Sequence, residues 1–326
     1  MSKIFSKLEV ITFTAILISG LLSCAQRNPA DSGNNGSNNN GGNQTSSFWK
    51  KTYGPEKTLS MLVTPSGFFF AGTENGNIYY SFDTGQSWGH RKISNDEIVA
   101  VARHPNGNLF AASRTDVFNS TNNGTIWSSK TFAGPQLNSL VIDQNGRIFI
   151  GTTDGVHLST DLGENWTKLG LGNNWVNFIN FSLTGEIFIA TSNGVYYSED
   201  NGSSWSLSGL INFWINTIYF DTGGILYAGT SGSGVFRSLD NGSVWNQDTE
   251  GLYNGYVNAI VINQQHRIFA GGDGGVYEYI QGTNRWKLIE TDPLILQVNS
   301  LVLDSNGFLY AGSHSGIYRS TNSTNP

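Results

Sequence analysis

The sequence predicts an all-β fold built as a ring of seven four-stranded blades, and three observations support this prediction. Glycine accounts for 40 of the 326 residues, aromatic residues for 13% and charged residues for only 13%. Such a composition is typical of short strands joined by tight turns. A motif returns every 39 to 41 residues, and each unit contains four short strand patterns. Four antiparallel strands in a unit of this length indicate a β-propeller blade.

The composition also excludes several classes of protein. With 18 Lys and Arg against 24 Asp and Glu, the net charge is −6, and nucleic-acid binding requires the opposite, a basic stripe. The single cysteine excludes a disulfide framework and a Cys-based zinc site. The 5 histidines are scattered over the chain without the spacing of metal ligands. We therefore expect no nucleic-acid partner, no metal and no cofactor.

The first segment has the features of a targeting signal. Lys3 and Lys7 precede a mostly apolar run over residues 10–22, which has the length of a signal peptide. The run ends in Leu21-Leu22-Ser23-Cys24, which resembles the lipobox of bacterial lipoproteins. The resemblance implies cleavage before Cys24, a lipid attached to this cysteine and, because Ala25 follows it, an outer-membrane location. A plain secretory signal is the alternative.

Three regions follow from this segmentation. Residues 1–23 are the predicted lipoprotein signal peptide, residues 24–47 a tether rich in Asn, Gly and Ser, and residues 48–326 the seven-bladed propeller. The tether composition cannot bury enough apolar surface to offset the entropy of ordering. We expect a monomeric propeller held at the bacterial cell envelope, in contact with the membrane only through its lipid anchor.

The repeated motif is Ser-x-Asp-x-Gly-x-x-Trp, with Asn once in place of Asp. Its third position is occupied by Asp83, Asn122, Asp161, Asp200 and Asp240, and its last by Trp88, Trp127, Trp166, Trp205 and Trp245. A sixth copy is worn and keeps Trp286, and a seventh begins at Ser320. The motif resembles the Asp-box, or bacterial neuraminidase repeat, which implies a turn between the third and fourth strands, away from any active site.

The chemistry of the box residues is structural. The carboxylate can accept backbone N–H groups of its own turn, the glycine adopts a conformation that other residues resist, and the tryptophan packs between blades. Asn122 can accept the same turn hydrogen bonds as aspartate. We therefore assign the box residues no catalytic role.

The last repeat lacks a fourth strand within its own stretch of sequence. Trp49, Lys50 and Lys51 match the fourth-strand starts at Trp166 and Trp286, and precede the first blade at the right distance. We expect this N-terminal strand to complete the last blade. Closing the ring in this way removes exposed edge strands.

Two tryptophans lie outside the register of the repeat. Trp175 and Trp214 each stand two residues before the asparagine that opens a first strand, and Tyr256 takes this position in the next blade. Because first strands line the central channel, we predict three aromatic side chains near its mouth, where they can stack on sugars or anchor a protein partner. Alternatively, they only pack the loops between blades. The in-register asparagines are predicted to satisfy strand-end backbone groups; they are Asn138, Asn177, Asn216, Asn258 and Asn299.

A sialidase-like enzyme is the alternative function. Asp-box sialidases bind a substrate carboxylate with three arginines, but Arg147, Arg237, Arg267 and Arg319 are expected on the side of the boxes, and only Arg114 on the opposite side. The remaining candidates for a glycoside hydrolase or lyase are carboxylates at the channel mouth, namely Glu97, Asp116, Asp154 and Asp273. The turns there are short, which disfavours a deep pocket.

The sequence therefore favours a lipid-anchored, non-catalytic binding or assembly module with a glycan or an envelope protein as partner. The repeat region also resembles photosystem II assembly-factor-like propellers, which implies a shared architecture rather than a shared site. A purely structural interaction through the four arginines on the side of the boxes is a third hypothesis.

Overall fold

The computed structural model describes residues 47–54, 56–289 and 295–325. They form seven four-stranded antiparallel sheets, arranged as the blades of a propeller, which confirms the predicted fold. The predicted signal peptide, Cys24 and the tether up to residue 46 lie outside the described residues. Within the described ranges, the structure contains no helix with the length and hydrophobicity that a membrane crossing requires.

The blades follow one another along the chain. Blade 1 contains β2 (Thr58–Val63), β3 (Phe69–Thr73), β4 (Asn77–Ser81) and β5 (Gly89–Lys92), and blade 2 contains β6 (Ile98–Arg103), β7 (Leu109–Ser113), β8 (Val117–Ser120) and β9 (Ser128–Lys130). Blade 3 contains β10 (Leu137–Ile142), β11 (Ile148–Thr152), β12 (Gly155–Ser159) and β13 (Thr167–Gly170). Blade 4 contains β14 (Val176–Phe181), β15 (Ile187–Thr191), β16 (Gly194–Ser198) and β17 (Ser206–Gly209).

The remaining three blades repeat this order. Blade 5 contains β18 (Ile215–Phe220), β19 (Leu226–Thr230), β20 (Val235–Ser238) and β21 (Asn246–Asp248). Blade 6 contains β22 (Val257–Ile262), β23 (Ile268–Gly272), β24 (Gly275–Ile280) and β25 (Arg285–Leu288). Blade 7 contains β26 (Val298–Leu303), β27 (Leu309–Ser313), β28 (Gly316–Ser320) and, from the start of the described chain, β1 (Trp49–Tyr53).

The ring is closed by the N-terminal strand, as predicted. Strand β1 pairs antiparallel with β28, with Trp49 opposite Ser320, and it forms the outer edge of blade 7. The amide of Thr321 also donates to the carbonyl of Phe48 at 2.7 Å. Blade 7 therefore combines the two ends of the described chain.

The apolar core is divided into seven clusters, one between each pair of neighbouring blades. Between blades 7 and 1, for example, Met61 and Phe69 pack against Val302 and Tyr310. Trp88, the last residue of the box motif of blade 1, packs against the same cluster. Each of the other clusters likewise contains the register tryptophan of the later blade. Trp49 and Trp286 are buried, and the other five register tryptophans are half-buried.

Each first strand has a register irregularity at its second residue, as in β10 between Leu137 and Ser139. In blades 4 to 7 this residue is an asparagine whose Nδ2 donates to the carbonyl of the first residue of the next first strand. The four pairs are Asn177 with Ile215, Asn216 with Val257, Asn258 with Val298 and Asn299 with Thr58, at 2.8 to 3.1 Å. These bonds link successive blades around the channel.

Asn138 departs from this pattern. Its Oδ1 accepts a hydrogen bond from Arg114 Nη1 at 3.0 Å, and within the described chain its buried Nδ2 has no hydrogen-bond partner. The prediction that the in-register asparagines satisfy backbone groups therefore holds for Asn177, Asn216, Asn258 and Asn299. It does not hold for Asn138, whose side chain binds the guanidinium of Arg114 instead.

The turns define two faces of the ring. The turns between second and third strands pack on the segments that link blades, since Gly155 N donates to Asn174 O at 3.1 Å and Gly274 N to Leu296 O at 2.7 Å. We call this side the mouth face, and the opposite side, with the box turns, the box face. The packing is close: a Cβ on Gly155, whose φ is +91°, would lie 2.1 Å from the carbonyl oxygen of Gly170.

Closure predicts very different costs for two tryptophan truncations. Trp49→Ala removes a ring that is 4% exposed from the cluster between blades 6 and 7, whereas Trp175→Ala removes a ring that is 41% exposed. We expect Trp49→Ala to lower the free energy of unfolding by about 3–5 kcal/mol, and Trp175→Ala by less than about 1 kcal/mol. Urea unfolding of both variants measures the difference, and equal losses would contradict the closing role of β1.

Candidate functional site

The box turns are saturated with internal hydrogen bonds. In blade 3, Ser159 Oγ donates to Asp161 Oδ1 at 2.8 Å, Gly163 N donates to Ser159 Oγ at 2.9 Å, and Asn165 N donates to Asp161 Oδ1 at 2.9 Å. Asn122 accepts the equivalent bonds, from Ser120 Oγ at 3.0 Å and from Ile126 N at 2.8 Å. The side chains of Asp161 and Asn122 therefore accept hydrogen bonds from within their own turns.

The same hydrogen bonds lower the pKa of the box carboxyls. The pKa of Asp83, Asp161 and Asp200 falls to about 2, and in each the side-chain donor four residues on is the largest cause, followed by the backbone N–H of that same residue. These donors are Ser87, Asn165 and Ser204. The pKa of Asp240 is also lowered, mainly by the N–H of Val244. A general acid needs a raised pKa, so these groups are unsuited to that role.

The four arginines of the box face each contact a partner within their own blade. Arg147 Nε lies 2.6 Å from Asp143, Arg237 Nε 3.3 Å from Asp248 and Arg267 Nε 2.6 Å from Glu278, while Arg319 Nε donates to Tyr310 OH at 2.7 Å. Their positions in blades 3, 5, 6 and 7 separate them around the ring.

The candidate catalytic carboxylates of the mouth face lie apart, in blades 2, 3 and 6. Glu97 forms an ion pair with Arg114 at 2.9 Å. Asp154 pairs with Lys168 at 2.5 Å, and the hydrogen bond from this lysine is the largest cause of its lowered pKa. Asp116 accepts from Thr115 Oγ1 at 3.0 Å, and the same hydroxyl lies 3.4 Å from Asp96 Oδ2.

Burial raises the pKa of Asp273, the last of the four candidate carboxyls. Its carboxylate has no hydrogen bond or ion pair within the described chain. Acid–base hydrolysis of a glycoside needs two carboxylates flanking one bond, and the structure brings none of the other three candidates to Asp273.

The three predicted aromatic residues all lie on the mouth face, immediately before first strands. Their backbone carbonyls accept hydrogen bonds from backbone amides: Trp175 from Ser192 at 3.0 Å, Trp214 from Ser231 at 3.0 Å and Tyr256 from Asp273 at 3.3 Å. Trp175 and Tyr256 are 41% and 40% exposed, and Trp214 is half-buried. The ring centroids of Trp175 and Trp214 are 5.6 Å apart at an interplanar angle of 77°. This edge-to-face pair offers no flat two-ring platform.

Further exposed apolar side chains accompany these rings, and sequence reasoning missed them. Ile211, Tyr253 and Leu296 are 51%, 62% and 56% exposed, in the segments that lead into blades 5, 6 and 7. Together with Trp175, Trp214 and Tyr256 they form what we call the mouth crescent. The sequence signal was available, because all of them stand between a fourth strand and the following first strand.

The structure also offers no obvious metal centre in the part of the chain that it describes. There, no group of three or more His, Cys, Asp or Glu side chains is arranged to hold a metal ion.

Comparison with known proteins supports the fold. Residues 92–211 match the model of a family described as the DUF6242 beta propeller domain. No curated protein sequence matches the chain.

Several solved structures are similar in fold. YCF48 bound to D1 peptide is 16% identical with a TM-score of 0.68, over 85% of this chain and 98% of that chain. The extracellular domain of the hybrid two-component system BT4673 from B. thetaiotaomicron is 16% identical with a TM-score of 0.73, over 84% of this chain but 40% of that one. Inactive H270A virginiamycin B lyase from Staphylococcus aureus with quinupristin is 12% identical with a TM-score of 0.72, over 83% and 98%. At such identities the likeness shows the propeller architecture.

The lowered pKa values of the box carboxyls predict an acid-sensitive component of stability. A carboxyl whose pKa is about 2 when folded and 3.8 when unfolded contributes stability that is present above the unfolded value and is lost as the pH falls through the folded value. Asp83→Asn, Asp161→Asn and Asp200→Asn combined should flatten the fall in Tm between about pH 4 and pH 2.

The measurement is Tm across this pH range for the wild-type chain and for the triple variant. Because Asn cannot accept the second side-chain bond of each box, the variant should start from a lower Tm, and only the slopes are compared. An unchanged slope would contradict the assignment of the lowered pKa values to the boxes.

Proposed function

We propose that this protein is a non-catalytic binding or assembly module, held at the bacterial cell envelope by a lipid on Cys24, and that it binds its ligand on the mouth face. The observation that supports this most directly is the mouth crescent. Exposed aromatic and large aliphatic side chains that cluster in neighbouring segments of a surface are typical of binding sites, and the segments of the mouth crescent are joined to the ring by backbone hydrogen bonds.

The position of the chain entry agrees with an anchored module. Phe48 lies beside Thr321, just beyond the box-face end of β28, so the described chain enters the propeller on its box face. In this proposal the lipid is therefore joined to the side of the ring opposite the mouth face, and the anchor does not occupy the ligand site.

The alternative, a glycoside hydrolase or lyase, depends on mouth carboxyls with suitable pKa values. Glu97 and Asp154 are held in ion pairs, whereas Asp273 has the raised pKa that a general acid requires. This alternative therefore rests on Asp273 alone, and it lacks a described second carboxylate beside it. Binding requires no such pair.

Two classes of ligand fit the mouth face, a glycan and a protein segment. Sugars stack on open aromatic faces, which Trp175 and Tyr256 supply. YCF48, which shares the propeller architecture, is bound to D1 peptide, which supports a polypeptide ligand. The edge-to-face arrangement of Trp175 and Trp214 also suits side chains that insert between rings better than it suits an extended flat stack.

The lipid anchor predicts the behaviour of a single variant. In a bacterial host, the wild-type chain should partition into the detergent phase and incorporate a labelled fatty acid, whereas Cys24→Ser should do neither. The host cells are fractionated and both chains are traced by immunoblot. Label incorporation into the Cys24→Ser chain would contradict this part of the proposal.

The mouth crescent predicts where binding is lost. The purified chain is screened on glycan and peptide arrays beside a Trp175→Ala, Trp214→Ala, Tyr256→Ala variant and a matched control, Leu183→Ala, Leu239→Ala, Val244→Ala. The control residues are also large, apolar and exposed, more so than the crescent residues, but they lie in turns of the box face. We expect the crescent variant to lose at least about tenfold in affinity and the control to retain it.

Folding of both variants is checked by Tm and circular dichroism. A ligand that binds the crescent variant as tightly as the wild type, or that is lost in the box-face control instead, would contradict a site on the mouth face. Turnover of an array glycan that is lost in Asp273→Asn would favour the hydrolase or lyase.

A further inference from the structure

The mouth face is chemically divided into two parts. The mouth crescent occupies the segments that lead into blades 4 to 7. Across the channel, the turns and linkers of blades 1 and 2 carry carboxylates instead, namely Glu74, Asp96, Glu97 and Asp116. A ligand that spans this face therefore meets apolar side chains on one part and negative charge on the other.

Most of the negative charge on the second part is not neutralised. Glu97 is paired with Arg114. Glu74, Asp96 and Asp116 have no basic partner within the described residues, and Asp96 and Asp116 share the hydroxyl of Thr115 at 3.4 and 3.0 Å. We call Glu74, Asp96 and Asp116 the acidic arc. Two of its carboxylates thus lie close together without a counter-charge.

Asp273 places a further unneutralised carboxylate inside the mouth crescent. The amide of Asp273 donates to the carbonyl of Tyr256 at 3.3 Å, and the carbonyl of Asp273 accepts from Tyr277 OH at 3.1 Å. The backbone of Asp273 also forms an isolated β-bridge with Gln297, just before blade 7. Asp273 is the first residue after the second strand of blade 6, and Arg114 and Ser231 hold the same position in blades 2 and 5. The side chains of Arg114 and Ser231 contact Asn138 and Asn216, the asparagines beside the channel. The equivalent position of Asp273 is therefore also beside the channel.

Positive charge is scarce among the same turns and linkers. Arg114 is occupied by Glu97. Lys57, in the segment that leads into blade 1, has no carboxylate partner in the part of the chain that the structure describes. It lies near His314, and the pKa of this histidine is lowered mainly by burial and further by the charge of Lys57. The turns and linkers of the mouth face therefore carry exposed apolar side chains and more negative than positive charge.

We propose that the occupant of the mouth face is a polypeptide segment that combines apolar residues with Lys or Arg. Its apolar side chains pack on the mouth crescent, one basic side chain pairs with Asp273, and others face the acidic arc. This inference rests on the proposed function and names the ligand class of the same site. Charge-assisted hydrogen bonds to a half-buried carboxylate are strong and directional, and the uncompensated charge steers basic partners toward the face.

The same chemistry disfavours the other occupants. Phosphate groups of a lipid surface or a nucleic acid would meet Glu74, Asp96, Asp116 and Asp273 with like charge. A neutral glycan would use the aromatic rings but would leave these carboxylates without a counter-charge. A basic and apolar polypeptide satisfies both parts of the face at once.

Three short synthetic peptides of equal length test the inference against the full chain in mild detergent. The first combines Phe and Leu with Lys, the second replaces each Lys by Glu, and the third replaces each Phe and Leu by Ser. Affinities are measured by fluorescence anisotropy at low and high salt. We expect the first peptide to bind and each of the other two to bind at least about tenfold more weakly.

Two variants locate the charge recognition, and a third serves as control. Asp273→Asn, and Glu74→Gln, Asp96→Asn, Asp116→Asn combined, should each weaken the first peptide by about tenfold and reduce the salt dependence of its binding. Glu199→Gln removes an exposed carboxylate of the box face and should change neither. Because burial disfavours the charge of Asp273, Asp273→Asn should not lower Tm.

Equal binding of the Lys and Glu peptides, or a loss in Glu199→Gln as large as in Asp273→Asn, would overturn the inference. If no peptide binds but an array glycan does, and is lost in the Trp175→Ala, Trp214→Ala, Tyr256→Ala variant, the inference fails while the proposed function stands. If neither class of ligand binds, both fail.

Discussion

Burial of apolar surface between neighbouring blades is the constraint on which the rest of this structure depends. Every core cluster takes side chains from two blades, as where Phe69 of blade 1 packs on Tyr310 of blade 7 at a centroid distance of 4.3 Å. A single blade has no core of its own, so it gains stability only from its neighbours. An open row of blades would leave two apolar faces exposed, one at each end of the row. Closure removes these faces: β1 pairs with β28 as the fourth strand of blade 7, and Trp49 completes the cluster between blades 6 and 7.

Polar bonds then set how the blades meet around the channel. The irregularity at the second residue of each first strand leaves a backbone carbonyl that the preceding blade can satisfy, and Asn177, Asn216, Asn258 and Asn299 each supply the donor. Blade 1 has Leu59 at this position, and there Ser60 Oγ donates to Ile98 O at 3.3 Å instead. The channel wall is therefore fixed by both packing and directional bonds, which gives the mouth face a rigid support.

The two faces of the ring use their charges differently. On the box face, the aspartates of the box motifs accept hydrogen bonds from N–H and O–H groups of their own turns, and each arginine contacts a partner in its own blade. On the mouth face, Glu74, Asp96, Asp116 and Asp273 have no cationic partner within the described residues, and large apolar side chains stand exposed near one of them. Internal bonds on the box face stabilise turns, whereas the unmatched groups of the mouth face remain available to a partner.

The sequence alone determined the number of blades, their strand order and the closing strand. These features depend on period, turn residues and alternation, which are local, and on the match of Trp49 to Trp166 and Trp286. It also located Trp175, Trp214 and Tyr256 at the mouth, because their register relative to first strands is countable. Only the tertiary structure decided that Trp175 meets Trp214 edge to face, that Arg114 binds the side chain of Asn138, and that the half-buried carboxylate of Asp273 has no partner among the described residues. Those outcomes depend on distances between blades, which are set by side-chain packing across about forty residues of sequence and which no local pattern records.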